Sequence, residues 1–228
     1  MAVDHVAVVG GTGDEGFGLA GRWAKAGIAV TIGSRDEGRA GEAAERLKSA
    51  VPSANVRGAT NDRAVAESDL VVVTVPFNGQ AMIYKSIAPH VRENAVIVDC
   101  TVPVAASVGG KVAHTLGVWE GSAAQQGWSF LERGTMCAAF HSLAAVQLND
   151  LDLEMEGDVL VCGSKKAAKE QVRELVEAIP KLGYVDAGPL ENARIVEPIT
   201  ALLIGINRRY KVHGSGIRIT GLREKSEG

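Results

Sequence analysis

Residues 6–35 contain the feature that most restricts the fold, a glycine-rich turn directly after an apolar run. The run Val6–Val9 leads into Gly11-Thr12-Gly13-Asp14-Glu15-Gly16, which fits the pattern G-x-G-x-x-G, and a helical pattern follows from about Glu15 to Ala26. A strand, a tight turn and a helix in this order are typical of the first unit of a doubly wound α/β sheet. The sequence therefore predicts that this turn binds a dinucleotide.

Each glycine of this pattern has a separate expected role. We interpret Gly11 as the residue that permits the turn, Gly13 as the one that lets the backbone approach a pyrophosphate, and Gly16 as the one that lets helix and strand pack closely. The N–H groups at the start of the helix would then face the anion. The alternative is a structural glycine turn that binds no ligand.

The end of the second predicted strand indicates which dinucleotide is bound. Sites for NAD usually place Asp or Glu here, to accept a hydrogen bond from the ribose 2′-hydroxyl. This chain has Ser34 and Arg35 instead, and Arg39 follows one helical turn later. A hydroxyl and two guanidinium groups suit a 2′-phosphate, so we predict NADP. The alternative is that both arginines are solvated and that Asp36 or Glu37 is a displaced acid of the NAD type.

Apolar runs that favour strands alternate with segments of helical period along most of the chain. This alternation predicts a doubly wound, Rossmann-type, mostly parallel sheet of about eight strands with helices on both faces, followed by a small helical C-terminal part. We expect a dinucleotide-binding domain over 1–145 and a small α/β extension over 146–228 that completes the ligand cleft. The predicted strands are 5–10, 28–33, 55–59, 70–75, 95–100, 137–142, 158–163 and 184–187, and the main helices are 38–50, 79–88 and 165–181.

In such a sheet, ligands bind beyond the carboxyl ends of the strands. The fourth strand ends in Val75-Pro76-Phe77, and Phe77 would either lie against the cofactor or pack under a loop. The sixth ends in His141, for which a catalytic role and a structural role are both open. These residues join the glycine turn as candidates for the site.

Several function classes are excluded by residues that the chain does not have. The pattern Tyr-x-x-x-Lys of short-chain dehydrogenases is absent, because Ala88, Gly188 and Gly214 stand four residues after the three tyrosines. The three cysteines are far apart in apolar runs, which indicates buried reduced thiols and no metal. A net charge of −3 gives no reason to expect nucleic acid, and the lack of a long apolar run or leader pattern predicts a cytoplasmic protein with no membrane contact.

Five segments together resemble a known family, the NADP oxidoreductases that depend on coenzyme F420. They are Gly11–Gly16, Ile32–Arg35, Val73–Pro76, Ala139–His141 and Asp186–Arg194, and the similarity runs from about Asp4 to Leu222. The resemblance implies transfer of hydride between NADP(H) and the deazaflavin ring of coenzyme F420. Two alternatives stay open: an NADPH-dependent reductase of a small ketone or imine, and an NADP-sensing protein without enzymatic activity.

The resemblance also implies roles for individual residues. Thr12, Gly13, Asp14 and Glu15 would line the pyrophosphate; Ser34, Arg35 and Arg39 the 2′-phosphate; Val102 and Ala145 the nicotinamide; and His141 would lie near both rings. The family often has Lys at the position of Arg39, a departure that keeps the charge. Basic residues near the C-terminus would either face the acidic tail of the coenzyme or end a solvated helix, and they are Arg208, Arg209, Lys211, His213 and Arg218.

We also expect a homodimer, because the about 40 residues after Gly188 are few for enclosing a second cofactor. An apolar stripe in this segment is the candidate contact, formed by Ile195, Ile199, Leu202 and Ile206. Residues 118–136 have no assigned role, although we predict a short helix from Ala123 to Glu132.

Overall fold

The computed structural model describes residues 3–222 and contains one eight-stranded sheet with the strand order β3-β2-β1-β4-β5-β6-β7-β8. The strands are β1 (His5–Val9), β2 (Ala29–Ser34), β3 (Val56–Thr60), β4 (Leu70–Val73), β5 (Val96–Asp99), β6 (Thr135–Ala138), β7 (Gly157–Gly163) and β8 (Leu182–Asp186). The reversal of strand order between β1 and β4 creates the crevice where doubly wound sheets bind ligands. The predicted fold class is confirmed.

Helices cover both faces of this sheet. They are α1 (Asp14–Lys25), α2 (Glu37–Ala50), α3 (Asn61–Ala66), α4 (Phe77–Ile87), α5 (Ala123–Ser129), α6 (Ala145–Asn149), α7 (Lys166–Glu177), α8 (Ala193–Val196) and α9 (Ile199–Tyr210). Short 3₁₀ turns lie at Ala88–His90, Ala105–Val108 and Leu190–Asn192.

The core consists of two apolar layers, one on each face of the sheet. Alternation along the strands separates them, so that Val8 packs in the layer containing Trp23 and Leu175, whereas Val9 packs in the layer containing Tyr84. The central strands β4 and β5 are buried along their whole length, as expected for parallel strands covered on both sides. The sheet is therefore a rigid support for the loops at its carboxyl edge.

The sixth strand differs from its prediction in position and in pairing. β6 ends at Ala138 rather than near residue 142, since Phe140 adopts a left-handed backbone (φ 67°) that takes the chain out of the sheet. β7 then runs antiparallel to β6, while the other neighbouring strands are parallel. The left-handed residue gives His141 a position beyond the edge of the sheet.

Arg22 of α1 connects the first part of the chain to the second. Its buried guanidinium donates to the carbonyl oxygens of Gln147, Leu148, Asp150 and Leu153. Most of these oxygens lie at the end of α6 or just beyond it, where a helix leaves carbonyl groups without partners. β7 and β8 extend the same sheet as the first six strands, and the division into domains 1–145 and 146–228 stays a prediction.

Candidate active site

The turn after β1 is shaped by two glycines with different requirements. Gly10 has a left-handed backbone (φ 75°), and the Gly11 amide donates to the carbonyl oxygens of Val8 (3.2 Å) and Gly33 (3.0 Å). A Cβ atom on Gly11 would lie 2.9 Å from the Val8 oxygen. The interpretation of Gly11 as the residue that permits the turn is therefore corrected: Gly10 makes the turn, and Gly11 provides the close approach between backbones.

Gly13 and Gly16 also differ in what surrounds them. A Cβ atom on Gly16 would collide with the Thr74 hydroxyl and would lie 2.9 Å from Gly11 Cα, so Gly16 allows α1 to pack against the strands. Gly13 is exposed, and the nearest atom to a Cβ there is the Gly10 oxygen at an ordinary 3.5 Å. The protein itself does not require a glycine at position 13, whereas an anion approaching the turn would.

α1 directs its first amides towards the same space. Phe17 donates to Gly13 O, so the hydrogen bonds of the helix begin at Phe17. The amides of Asp14, Glu15 and Gly16 come before Phe17 and point out of the N-terminal end of α1. Free N–H groups at the positive end of a helix dipole favour a phosphate.

The first cleft at the carboxyl edge, which we name the outer cleft, has a volume of about 460 Å³ and extends from the glycine turn to the start of α2. Its lining includes many of the predicted cofactor residues, namely Thr12, Gly13, Ser34, Arg35, Arg39, Val75 and Pro76. Asn61 at the start of α3 also lines it and was missed in the sequence. Asn61 Oδ1 accepts a hydrogen bond from the Gly10 amide at 3.4 Å, so Asn61 supports the turn.

The two acids that follow Arg35 are occupied elsewhere. Asp36 caps α2, where Oδ1 accepts the Arg39 amide at 2.9 Å, and Glu37 forms an ion pair with Arg63 at 2.8 Å. Ser34 Oγ accepts the Asp36 amide, which leaves the hydroxyl proton available to a ligand. Arg35 and Arg39 are exposed, and neither forms an ion pair within residues 3–222. This end of the outer cleft is suited to an anion.

A second cleft of about 440 Å³, the inner cleft, continues from the first. The two share Gly13, Thr74, Val75 and Pro76, so they form one groove across the ends of β1 and β4. The inner cleft contains the remaining predicted contacts, which are Asp14, Glu15, Phe77, Val102, His141 and Ala145, and α9 closes it with Thr200 and Ile204. Of the predicted site residues, Gly11 and Gly16 are buried beneath the groove and line neither cleft.

His141 is the polar residue of the inner cleft with the clearest need for a partner. Its side chain is buried, and neither ring nitrogen has a hydrogen-bond partner in the part of the chain that the structure describes. Thr200 Oγ1 donates to its carbonyl oxygen at 2.7 Å, which fixes the backbone. Burial lowers the pKa of the imidazole to about 4, so the ring is neutral at pH 7 and has one donor and one acceptor.

A buried carboxylate network supports the floor of the inner cleft. Asp99 Oδ2 accepts hydrogen bonds from Tyr84 Oη (2.5 Å) and Gln80 Nε2 (2.9 Å), and Oδ1 accepts the Thr101 amide (2.8 Å). Burial raises the pKa of Asp99 to about 6 against the effect of these donors. The network was not predicted, although Gln80 and Tyr84 are spaced i, i+4 on one helix face and Asp99 ends an apolar strand.

Glu197, the residue directly after α8, connects this helix to the start of α5. Its carboxylate accepts the amides of Ala123 (2.8 Å) and Ala124 (3.0 Å) at the start of α5. Burial raises its pKa to about 8, although both amides favour the charged form. The predicted helix from Ala123 to Glu132 is thus present as α5, and it ends at Ser129.

The three cysteines are buried with free thiols, as the sequence predicted.

Residues 118–136 contain three aromatic side chains in and around α5. Trp119 is 98% exposed, and Trp128 is 37% exposed. The side chain of Lys85 lies over the Phe130 ring at 5.3 Å. None of these aromatic residues lines the outer or the inner cleft.

Comparison with known proteins relates this groove to a family. Residues 5–103 match the family described as NADP oxidoreductase, coenzyme F420-dependent. The F420-dependent NADP reductase of Methanothermobacter thermautotrophicus is 43% identical over 99% of this chain and 98% of its own length. The chain belongs to the F420-dependent NADP reductase family. The relative of the same name from Methanothermobacter marburgensis is 39% identical over 96% of this chain and 99% of its own length.

The architecture of the F420-dependent NADP reductase family also has a counterpart among solved structures. A candidate F420-dependent NADP reductase from Arthrobacter sp. FB24 superimposes with a TM-score of 0.80, over 96% of this chain and 100% of the other, at 21% identity. At that identity the likeness establishes the fold alone. Within residues 3–222, no helix is long and apolar enough to cross a membrane.

Proposed function

We propose that this protein transfers hydride between NADP(H) and coenzyme F420. The observation that carries the proposal is the family membership of nearly the whole chain, combined with a continuous groove. Cationic side chains lie at one end of this groove, and at the other end lies the His141 imidazole, which has no hydrogen-bond partner within residues 3–222. Both cofactors carry their own redox chemistry, so the protein has to bind and orient them.

In this proposal NADP lies along the groove from α2 to β6. The 2′-phosphate contacts Ser34, Arg35 and Arg39, and the pyrophosphate contacts Thr12, Gly13 and the first amides of α1. The nicotinamide then reaches the inner cleft near Val102 and Ala145. The support for this placement is the charge at one end of the groove and the open space above Gly13.

The deazaflavin ring of coenzyme F420 stacks on the nicotinamide in the inner cleft. Holding the two reacting carbons about 3–3.5 Å apart supplies most of the required catalysis, worth about 7–11 kcal/mol in well-oriented systems. The neutral His141 ring orients one of the two cofactors through a hydrogen bond rather than by carrying a proton. The basic residues at and beyond the end of α9 are exposed, and they would face the acidic tail of the coenzyme.

The activity is tested by mixing the purified protein with reduced coenzyme F420 and NADP⁺. We expect oxidised F420 and NADPH to form in equal amounts, with NAD⁺ as a much poorer acceptor. Direct turnover of a small ketone or imine with NADPH, without any response to the deazaflavin, would support the alternative reductase. Binding of NADPH with no hydride transfer to any of these compounds would support a sensor.

The oligomeric state and the location belong to the same proposal. A homodimer is supported by the apolar stripe, of which Ile195 and Leu202 are 65% and 63% exposed while Ile199 and Ile206 are half-buried. A cytoplasmic location remains a prediction.

A further inference from the structure

Glu15 is an acid in a groove that we assign to an anionic cofactor. It is the second residue of α1, it is half-buried, and its side chain lines the inner cleft beside Gly13. No hydrogen bond or ion pair of its carboxyl group is found within residues 3–222. A carboxylate at this position would repel a pyrophosphate, so its protonation state decides whether it weakens or supports binding.

We propose that Glu15 contacts NADP as a neutral carboxylic acid and donates a hydrogen bond to the pyrophosphate, so that binding of the dinucleotide takes up a proton. This inference rests on the proposed binding of NADP. A protonated carboxyl group has one O–H donor, and O–H donors form short, strong hydrogen bonds to anionic oxygens. Glu15 would thus add a side-chain donor to the amides at the start of α1.

The surroundings of Glu15 favour the neutral acid before any ligand arrives. Burial, and then the nearby carboxylate of Asp99, raise the pKa of Glu15 to about 8. Hydrogen bonds from Tyr84, Gln80 and the Thr101 amide hold the Asp99 carboxylate in place. A bound pyrophosphate adds negative charge to the same space and raises the pKa further.

Three titratable groups near Glu15, namely His141, Asp99 and Cys100, do not change charge between pH 7 and 9. Burial keeps the pKa of His141 near 4 and that of Asp99 near 6, so the imidazole stays neutral and the carboxylate stays ionised. Burial and Glu15 itself hold the pKa of Cys100 well above its ordinary value. Asp14 is the exposed neighbour on α1, and the residues that α4 and α9 present here, Phe77, Thr200 and Ile204, are uncharged.

Glu197 and the 2′-phosphate of NADP do not interfere with a measurement of Glu15. Glu197 also has a pKa of about 8, but it lies against the start of α5 and does not line the cleft. The 2′-phosphate of NADP has its second pKa near 6, so it is a dianion throughout this range. A comparison of variants at position 15 therefore isolates the contribution of Glu15.

The experiment is calorimetric titration of the protein with NADP⁺ in buffers of different ionisation enthalpy, at pH 7, 8 and 9. From a pKa of about 8 in the free protein, we expect uptake of about 0.1 proton per NADP⁺ at pH 7, about 0.5 at pH 8 and about 0.9 at pH 9. The dissociation constant should rise towards tenfold per pH unit above pH 8. Glu15→Gln, which keeps an N–H donor but does not titrate, should abolish both effects. The control Glu132→Gln, at an exposed residue that lines neither cleft, should keep both.

The possible outcomes separate this inference from the proposed function. NADP⁺ binding without proton uptake at pH 9, or uptake that persists in Glu15→Gln, overturns the role of Glu15 and leaves NADP binding intact. Failure of the wild-type protein to bind NADP⁺ at any pH overturns both proposals. A circular dichroism spectrum of each variant confirms that it is folded, and the wild-type titration tests the proposal even without the variants.

Discussion

We predict that the choice between NADP and NAD depends on Arg35. It lies at the open end of the outer cleft, and its neighbouring acids are occupied by α2 and by Arg63. Losing a charge-assisted contact costs on the order of 1.5–3 kcal/mol, which corresponds to a roughly 10- to 150-fold weaker affinity. We expect Arg35→Ala to raise the dissociation constant of NADPH by this factor and that of NADH by less than about threefold.

Fluorescence titration with both nucleotides measures this difference. Arg133→Ala is the matched control, because Arg133 is exposed and lines neither the outer nor the inner cleft. If Arg35→Ala weakens NADPH and NADH equally, Arg35 does not contact the 2′-phosphate.

Two roles are open to His141, namely orientation of a cofactor ring and transfer of a proton. Because burial lowers its pKa to about 4, the ring does not titrate near neutrality. Loss of one hydrogen bond costs about 0.5–1.5 kcal/mol, so His141→Asn should reduce kcat by about 2- to 13-fold. The pH profile between 6 and 9 should keep its shape.

Turnover of NADP and coenzyme F420 against pH tests this, with the exposed His90→Asn as the control. A fall in kcat of about 10²–10⁴-fold together with loss of a titration near pH 7 would instead assign His141 to proton transfer. Unchanged turnover and unchanged binding of both cofactors would leave His141 without a role in the site.

At the scale of the element, we predict that the turn between β1 and α1 combines Gly16, which the fold needs, with Gly13, which the ligand needs. Gly13→Val should abolish dinucleotide binding and keep a folded protein, since only the Gly10 oxygen is near a Cβ there, at 3.5 Å. Gly16→Val should unfold or strongly destabilise the protein, because its side chain would collide with Thr74 and Gly11. Circular dichroism, thermal melts and NADP titration of the pair separate the two roles. An unfolded Gly13→Val would show that this residue is structural.

The elements of the sheet could be predicted because each strand is long enough to show its own pattern. Buried runs such as Leu70–Val73 are apolar at every position, and α1 and α2 start close to their predicted positions. The antiparallel pairing of β6 with β7 could not be read from the sequence. It depends on the left-handed Phe140, which has no local sequence signal such as glycine.

The site shows the same limit at the level of contacts. The glycines directly follow β1, and Ser34 and Arg35 stand at the end of β2, so both groups could be predicted from the local sequence. Val102 and Ala145 were predicted only from the resemblance to a family. The contacts of Asp99 with Gln80 and Tyr84, and of Glu197 with α5, join segments 15 to 74 residues apart. Nothing in the local pattern of either partner specifies the other, so these buried polar networks emerge only from the packed structure.

At the scale of the whole molecule, buried acids make stability depend on pH. Glu197 and Glu15 each have a pKa of about 8 in the folded protein, raised from 4.5, so the folded state binds more protons than the unfolded state between these values. The free energy of unfolding should therefore fall as pH rises from 6.5 to 8. The fall should continue towards pH 9, because burial raises the pKa of all three cysteine thiols and these ionise first in the unfolded chain. The lowered pKa values of His5 and His141 act in the opposite direction, but only below about pH 6.5. Urea denaturation at pH 6.5, 7.2, 8 and 8.8 tests this prediction. A urea concentration at half-unfolding that stays constant or increases as pH rises would contradict it.

The apolar stripe on α8 and α9 bears on how the whole chain assembles. Ile195 and Leu202 remain 65% and 63% exposed, so the stripe on α8 and α9 is a surface rather than core. An isologous contact between two copies would cover it, and α9 also closes the inner cleft through Thr200 and Ile204, so dimer formation would stabilise one wall of the site. Sedimentation equilibrium at micromolar concentration should give twice the mass of the chain, and Leu202→Glu should shift it to the monomer. Val146→Glu, an equally exposed change on α6, should leave the dimer intact. A wild-type monomer, or a dimer insensitive to Leu202→Glu, would show that this stripe is not the contact.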